Sequence, residues 1–364
     1  MSEDRRVVTV GLDVHKSSVR LAAVRSGEVL RERTLAYDHD EVLGEVRSWP
    51  GVRVCQEAGP TGFGLHRALL AAGVDSVIVA PGLVPTRPGD RVKTDKRDAR
   101  RLAGLHAAGL LTEIFVPAPE HEALRDVVRA REDARLDRMR ARHRLGKFLL
   151  RHERRMPTTC WGPTRRAWLG RQAFELPGQQ HAFDDYLFAV DQIDRRIEAL
   201  EQAIDMLAKD GPHSELIARL RCMRGIDTLT AIGLAAEVGD FTRFKTAEQF
   251  MSFCGLVPSE RSSGESRRQG SITKAGSAHA RRLLVEAAWN SRRRPTVGYE
   301  LKRRQADQDP AVLEHAWRAQ QRLHRRWQRM AGRGKPHQKV VVACARELAG
   351  FVWAIATQQP LRTR

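Results

Sequence analysis

Four carboxylates and one serine-rich basic stretch are the residues of this chain whose types and spacing can do chemistry. Asp13 closes an apolar run in Gly11-Leu12-Asp13-Val14-His15-Lys16, and Glu57 closes another in Gln56-Glu57-Ala58-Gly59. Asp95 and Asp98 stand three apart in Lys93-Thr94-Asp95-Lys96-Arg97-Asp98-Ala99, which places both on one face of a helix start. Brought together, the four form a hard oxygen ligand set for Mg²⁺ or Mn²⁺, the ions that activate a nucleophile and stabilise a leaving oxygen in phosphodiester chemistry. Without a cation they would repel one another and any phosphate. Taken singly, Asp95 and Asp98 read better as helix-start residues, because Asp is favoured there with or without metal. Asp13 is harder to explain that way, since a carboxylate ending an apolar strand is costly to bury unpaired.

The second constellation runs from Gly255 to Gly276, where serines, glycines and cations alternate: Ser259, Ser262, Ser263-Gly264, Ser266, Arg267, Arg268, Ser271 and Lys274. A Ser-Gly pair on a loop among guanidiniums can present a hydroxyl to a phosphate, with cations stabilising the charge that develops in attack. A solvated basic loop that only touches phosphates has the same composition. The surrounding charge points to a polyanion in either case. The 364 residues carry a formal charge of +19, and residues 261–346 alone hold 21 Lys/Arg against 6 Asp/Glu, a net +15. Arg281, Arg282, Arg292, Arg293 and Arg294 join Arg267, Arg268 and Lys274 as expected phosphate contacts. Other chemistries find little support. The five cysteines are scattered without a C-x-x-C pair, no H-E-x-x-H motif is present, and the start lacks the apolar core of a signal peptide. A soluble protein of the bacterial cytoplasm, associated with the nucleoid and not with a membrane, is the expectation.

The elements that must position these residues follow from periodicity. Val7–Asp13, Val19–Val24 and Val29–Leu35 read as a strand meander turned at Ser26-Gly27; Val52–Glu57 and Val77–Ala80 are further strands separated by helices, and Asp95–Ala108 is a helix. This is a mixed α/β sheet over residues 1–117. Residues 118–213 change to long charged helices, with Phe183, Tyr186, Val190, Ile193, Ile197, Leu200, Ile204 and Leu207 stepping by three and four. That seam suits a helical hairpin folded on itself and a dimerising coiled coil equally. The patch 157–177, with Trp161 and Trp168, joins the two helices. Residues 214–364 read as a mainly helical domain. Its Leu220–Ile226 turn ahead of a Thr228–Val238 helix suits a helix-hairpin-helix-like element and an ordinary turn equally. The apolar Gln338–Ile355 run reads as a buried helix, being interrupted by Arg346 and Glu347. Trp317 and Trp327 read as buried anchors rather than base-stacking residues.

On Gly11–Lys16, Glu57-Ala58-Gly59, Lys93–Ala99, Gly255-Leu256-Val257-Pro258, Ser263-Gly264 and Ile272–Gly276, in that order, the chain resembles the transposases of insertion-sequence (IS) family 110 and the related Piv-type DNA invertases. The resemblance runs nearly end to end. It implies a RuvC-like, RNase H-type domain whose Asp-Glu-Asp-Asp metal site is Asp13, Glu57, Asp95 and Asp98. It further implies a coiled-coil segment and a C-terminal transposase domain with Ser263 as nucleophile. Relatives of this kind act as recombinases guided by a noncoding bridge RNA that pairs with donor and target double-stranded DNA, in dimers or tetramers. One departure is Glu265, where many relatives carry Gly, and an acid there weakens the attraction for phosphate. Two other classes use parts of the same inventory. A junction endonuclease of RuvC type needs only the four carboxylates and water, and a non-catalytic nucleic-acid-binding protein needs only the basic region.

Overall fold

The chain divides into two compact units, Met1–Pro117 and Ala118–Arg364. The computed structural model describes residues 7–85, 95–263 and 266–359, and of residues 95–96, 261–263 and 266–267 the backbone only.

The first unit is a five-stranded mixed sheet in the order β3-β2-β1-β4-β5. Strands β1 (Thr9–Val14), β2 (Ser18–Arg25) and β3 (Glu28–Ala36) form the expected antiparallel meander. Its turn is Ser26-Gly27, both at positive φ (52° and 86°), the conformation whose twist matches a tight hairpin. Helix α1 (His39–Val46) leads to β4 (Arg53–Glu57), and α2 (Gly64–Ala71) to β5 (Asp75–Val79); β4 lies parallel to both β1 and β5. Alternation along the strands sorts two cores. Val10, Leu12, Leu21 and Val54 pack with Val42, Val46, Leu65 and Leu69 of α1 and α2 on one face. Cys55 and Val79 meet Leu102 of α3 (Asp95–Ala107) on the other. Gly11 lets α3 lie directly on β1, since a Cβ there would sit 2.2 Å from the Ala99 carbonyl oxygen and 2.6 Å from the Ala103 nitrogen. The mixed sheet with its helical layers fits an RNase H-like fold.

The second unit opens with α4 (Pro119–Arg151), the short α5 (Pro163–Leu169) and α6 (Pro177–Asp210). The α6 seam closes within the chain: Phe183 and Val190 are buried with Ala141, Leu145, Phe148 and Leu149 of α4. Trp161, Trp168 and Phe174 from the connecting patch pack on that cluster, so the patch is the hydrophobic end of the hairpin. At the other end, Ile204 and Ala208 with Leu124 and Val128 join the core of the helices that follow.

Those helices are α7 (Ser214–Leu220), α8 (Thr228–Val238), α9 (Ala247–Phe253), α10 (Ala278–Ala288), α11 (Tyr299–Gln305), α12 (Pro310–Gly332) and α13 (His337–Thr357). Asp227, Thr246, Ser277 and Asp309 cap α8, α9, α10 and α12 through their side chains. α13 is long and apolar enough to cross a membrane, yet 67% of that apolar window is buried inside the unit. Trp327 is buried as expected, whereas Trp317 is 38% exposed.

The serine-rich segment departs from the expected loop. It is an antiparallel hairpin of β6 (Pro258–Ser263) and β7 (Ser266–Ile272), with Ser263 opposite Ser266. Its sequence is polar at nearly every position and so lacks the apolar alternation that announces a strand. Helix α11 is too short to show an apolar period, whereas α12 shows one, since its buried Ala316, Gln320, Leu323 and Trp327 step by four, three and four through a run rich in Arg and Gln.

Candidate functional site

In the first unit the register assembles an acidic edge. Leu12 pairs with Gln56 in the parallel β1–β4 ladder, so Asp13 and Glu57 occupy the next aligned position on neighbouring strands. Because Leu12 faces α1 and α2, the following residue of each strand faces the α3 side. The direction of α3 follows from its far end: His106 lies in the field of Arg53 and Asp75, at the N-terminal ends of β4 and β5. The N-terminal turn of α3, with Asp95 and Asp98, therefore lies toward the strand ends that carry Asp13 and Glu57. Asp98 is 8% exposed and pairs with Arg101 at 3.3 Å; Asp13 pairs with His15 at 3.3 Å. The side chain of Asp95 lies outside the described residues, and among those described no three acidic, His or Cys side chains close around one point. Donor type and shared sheet edge nevertheless fit a hard divalent cation, which takes carboxylate oxygens before any other protein ligand.

In the second unit the hairpin that carries Ser263 is held at its foot. Thr273 N–H donates to the Val257 carbonyl (2.9 Å), Lys274 N–H to Gly255 (3.1 Å) and Ser277 N–H to Phe253 (3.1 Å). Gly276, at φ 71°, passes so close to Phe253 that a Cβ would lie 2.0 Å from its carbonyl oxygen. The side chains of Ser263 and Arg267 lie outside the described residues, as do Gly264 and Glu265 altogether. Of the other expected phosphate contacts, Arg268, Lys274, Arg292, Arg293 and Arg294 are exposed. Arg281 instead donates to the Cys254 (3.0 Å) and Ala275 (3.3 Å) carbonyls, tying α10 to the hairpin foot. Arg282 bridges Glu286 (2.8 Å) and Glu132 (2.7 Å).

A buried carboxylate that the sequence analysis passed over fixes the same foot. Glu237, near the end of α8, accepts from Arg129 Nε of α4 (3.1 Å), from Ser277 Oγ (3.1 Å) and from His279 Nδ1 (3.3 Å). Ser277 in turn caps α10 by accepting from Ala280 N–H. One carboxylate thus ties α4, α8 and the start of α10. Burial by itself would raise the pKa of Glu237, but the hydrogen bonds and charges of His279 and Arg129 outweigh it and hold the value at about 2, against an ordinary 4.5. A depressed carboxylate adds stability that is complete above pH 4.5 and disappears as pH falls through 2. Glu237→Gln is therefore expected to lower stability at neutral pH by roughly 3 kcal/mol and to flatten the acid limb of a urea-midpoint profile. Parallel profiles for the two proteins between pH 4.5 and 2 would contradict this assignment.

Comparison with known proteins meets both units. A DEDD transposase model for IS110 elements matches residues 10–153, and the model of the transposase IS116/IS110/IS902 family matches residues 217–302. A putative transposase of Sinorhizobium fredii, y4qE, is 39% identical over 98% of this chain and 90% of its own length. The transposase for insertion sequence element IS1533 of Leptospira borgpetersenii is 33% identical over 91% of this chain and 99% of its own. The chain belongs to the IS110 family of transposases. A transposase is a DNA-processing enzyme, and the two matched segments hold the two constellations: the acidic edge lies in the first, and the serine hairpin and Glu237 lie in the second. A third relative, the transposase for insertion sequence element IS1328 of Yersinia enterocolitica, is 25% identical over 78% of this chain and 83% of its own length.

Proposed function

We propose that this transposase cuts and rejoins donor and target DNA through a covalent phosphoserine at Ser263, with Asp13, Glu57, Asp95 and Asp98 holding Mg²⁺ or Mn²⁺ and a bridge RNA choosing the sites. The alignment of Asp13 with Glu57 on adjacent parallel strands, beside the first turn of α3, is the observation that carries the reading. When bound, the metal lowers the cost of negative charge on the attacking and leaving oxygens. The chain's own residues do the rest. The Ser263 hydroxyl gives up its proton and forms one P–O bond while one strand oxygen leaves, taking a proton. Each broken phosphodiester is thus replaced by a phosphoserine ester, and the reverse attack by a strand hydroxyl needs no outside energy source. Arg267, Arg268 and Lys274 neutralise phosphate beside the hairpin. Arg292, Arg293 and Arg294 grip backbone phosphates elsewhere on the C-terminal domain, taken as residues 214–364. The α7–α8 turn, with Gly225 at φ 88°, adds a helix-hairpin-helix-like contact to phosphate. Carboxylates of one protomer act on the serine of another in a dimer or tetramer, with the hairpin of residues 118–213 as the assembly segment.

The deciding experiment incubates purified protein, its copurifying RNA and both DNA substrates, and reads the products after denaturation. Rejoined recombinant strands that require the divalent ion and disappear on RNase treatment are expected. Simple nicks would assign the carboxylates to a water-using junction nuclease, and binding without any strand change would leave a nucleic-acid-binding protein.

A further inference from the structure

The connector between α10 and α11 displays an aromatic ring that the core does not use. Tyr299 is 79% exposed, well above Trp289 at 40% and Val297 at 44% nearby. Among the described residues no hydrogen bond or ring contact engages it. Helix α11 is anchored on its opposite side: Leu301 is buried, Arg304 Nη1 donates to the Ile226 carbonyl (2.6 Å) and Gln305 Nε2 to the Cys222 carbonyl (2.9 Å). Those three positions share one face, which leaves Tyr299, Lys302 and Arg303, at i, i+3 and i+4, together on the outer one. Arg303 pairs with Glu300 at 2.9 Å, and Lys302 is exposed.

The connector is also preformed. The Arg224 guanidinium donates to the Arg294 carbonyl, Thr296 N–H donates to the buried Gln320 side chain (3.3 Å), and Arg293 N–H donates to the Asn290 carbonyl (3.1 Å). Arg292, Arg293 and Arg294 project from this held backbone. A large ring held in water on a fixed backbone, between a guanidinium triplet and a lysine, matches the demands of an unpaired base and its phosphates. The ring offers a stacking face, the cations follow the backbone, and little ordering is required on binding. A duplex hides its base faces and would use the cations alone.

We infer that Arg292–Lys302 is a docking platform for an unpaired stretch of nucleic acid, with Tyr299 stacking on a base. The inference rests on the nucleic-acid reading of the C-terminal cations, and is independent of the metal and of Ser263. The test compares full-length, nucleic-acid-free wild type with Tyr299→Ala and Tyr299→Phe at one salt concentration. The probes are short unstructured DNA and RNA strands of one sequence and a blunt DNA duplex. Tyr299→Ala is expected to weaken single-strand binding about tenfold, to change duplex binding less than twofold, and to be rescued by Tyr299→Phe. A loss confined to the RNA or to the DNA strand supports the platform and names its source. Unchanged single-strand affinity, an equal loss on strand and duplex, or a change only in oligomeric mass would overturn it. Recombination by wild type, tested separately, is unaffected by any of these outcomes.

Discussion

Ser263→Ala is expected to yield no protein–DNA adduct that survives denaturation and to lower recombinant product by at least about a thousandfold, the scale on which loss of a covalent nucleophile acts. Folding and RNA binding should stay at wild-type levels, since Ser263 lies five residues beyond Pro258, away from the hairpin foot where the tertiary hydrogen bonds gather. Ser262→Ala is the matched control and should keep part of the activity. Proteolysis of the trapped adduct, followed by mass spectrometry, locates the phosphoester. If it maps to Ser259, Ser262, Ser266 or Ser271, the wrong hydroxyl has been chosen. Recombination without any adduct would return the chemistry to water and the carboxylates.

The other large effect belongs to the acidic edge. Asp13→Asn keeps the size and shape of the side chain and removes one unit of negative charge from the position aligned with Glu57. A neutral amide is a poor ligand for Mg²⁺ or Mn²⁺, so strand cleavage should fall below detection at concentrations of metal that saturate wild type. Stability should change little, because Asp13 stands near the end of β1 with its side chain partly open to solvent, where charge interactions are screened. Wild-type turnover by this variant, or by wild type in excess chelator, would remove the metal from the proposal.

The first unit was legible because apolar runs, a Ser-Gly turn and alternating helices each obey a local rule. The placement of Asp13 and Glu57 side by side follows from the same rules once β1 and β4 are known to be parallel neighbours. The hairpin β6–β7 was not legible, since polar strands carry no alternation and its cohesion lies in backbone contacts with Phe253, Gly255 and Val257. Glu237 was legible in part: it interrupts Leu234-Ala235-Ala236-Glu237-Val238, and the argument that a carboxylate in an apolar run needs partners applies to it as it does to Asp13. Its partners, Arg129 and His279, are 108 and 42 residues away in the chain, and only the fold reveals them. Arg281 shows the converse, because a side chain that composition assigns to phosphate is turned to backbone carbonyls.

The place of α13 has a consequence for how the protein is made. This helix, His337–Thr357, supplies Val340, Cys344, Leu348, Val352 and Ile355 to the core that α8, α9, α10 and α12 share, so the second unit assembles around its most C-terminal helix. A ribosome adding about 5–20 residues per second finishes the first unit some tens of seconds before that helix emerges. Through that interval α4, α5 and α6 close on their own cluster of Leu145, Phe148, Phe183 and Val190, whereas the apolar faces of α8, α9, α10 and α12 lack the helix they share. A message broken between the end of the first unit and α13 then gives a complete carboxylate unit joined to a second unit whose α9 and α10, which hold the foot of the serine hairpin, lack the helix they pack on.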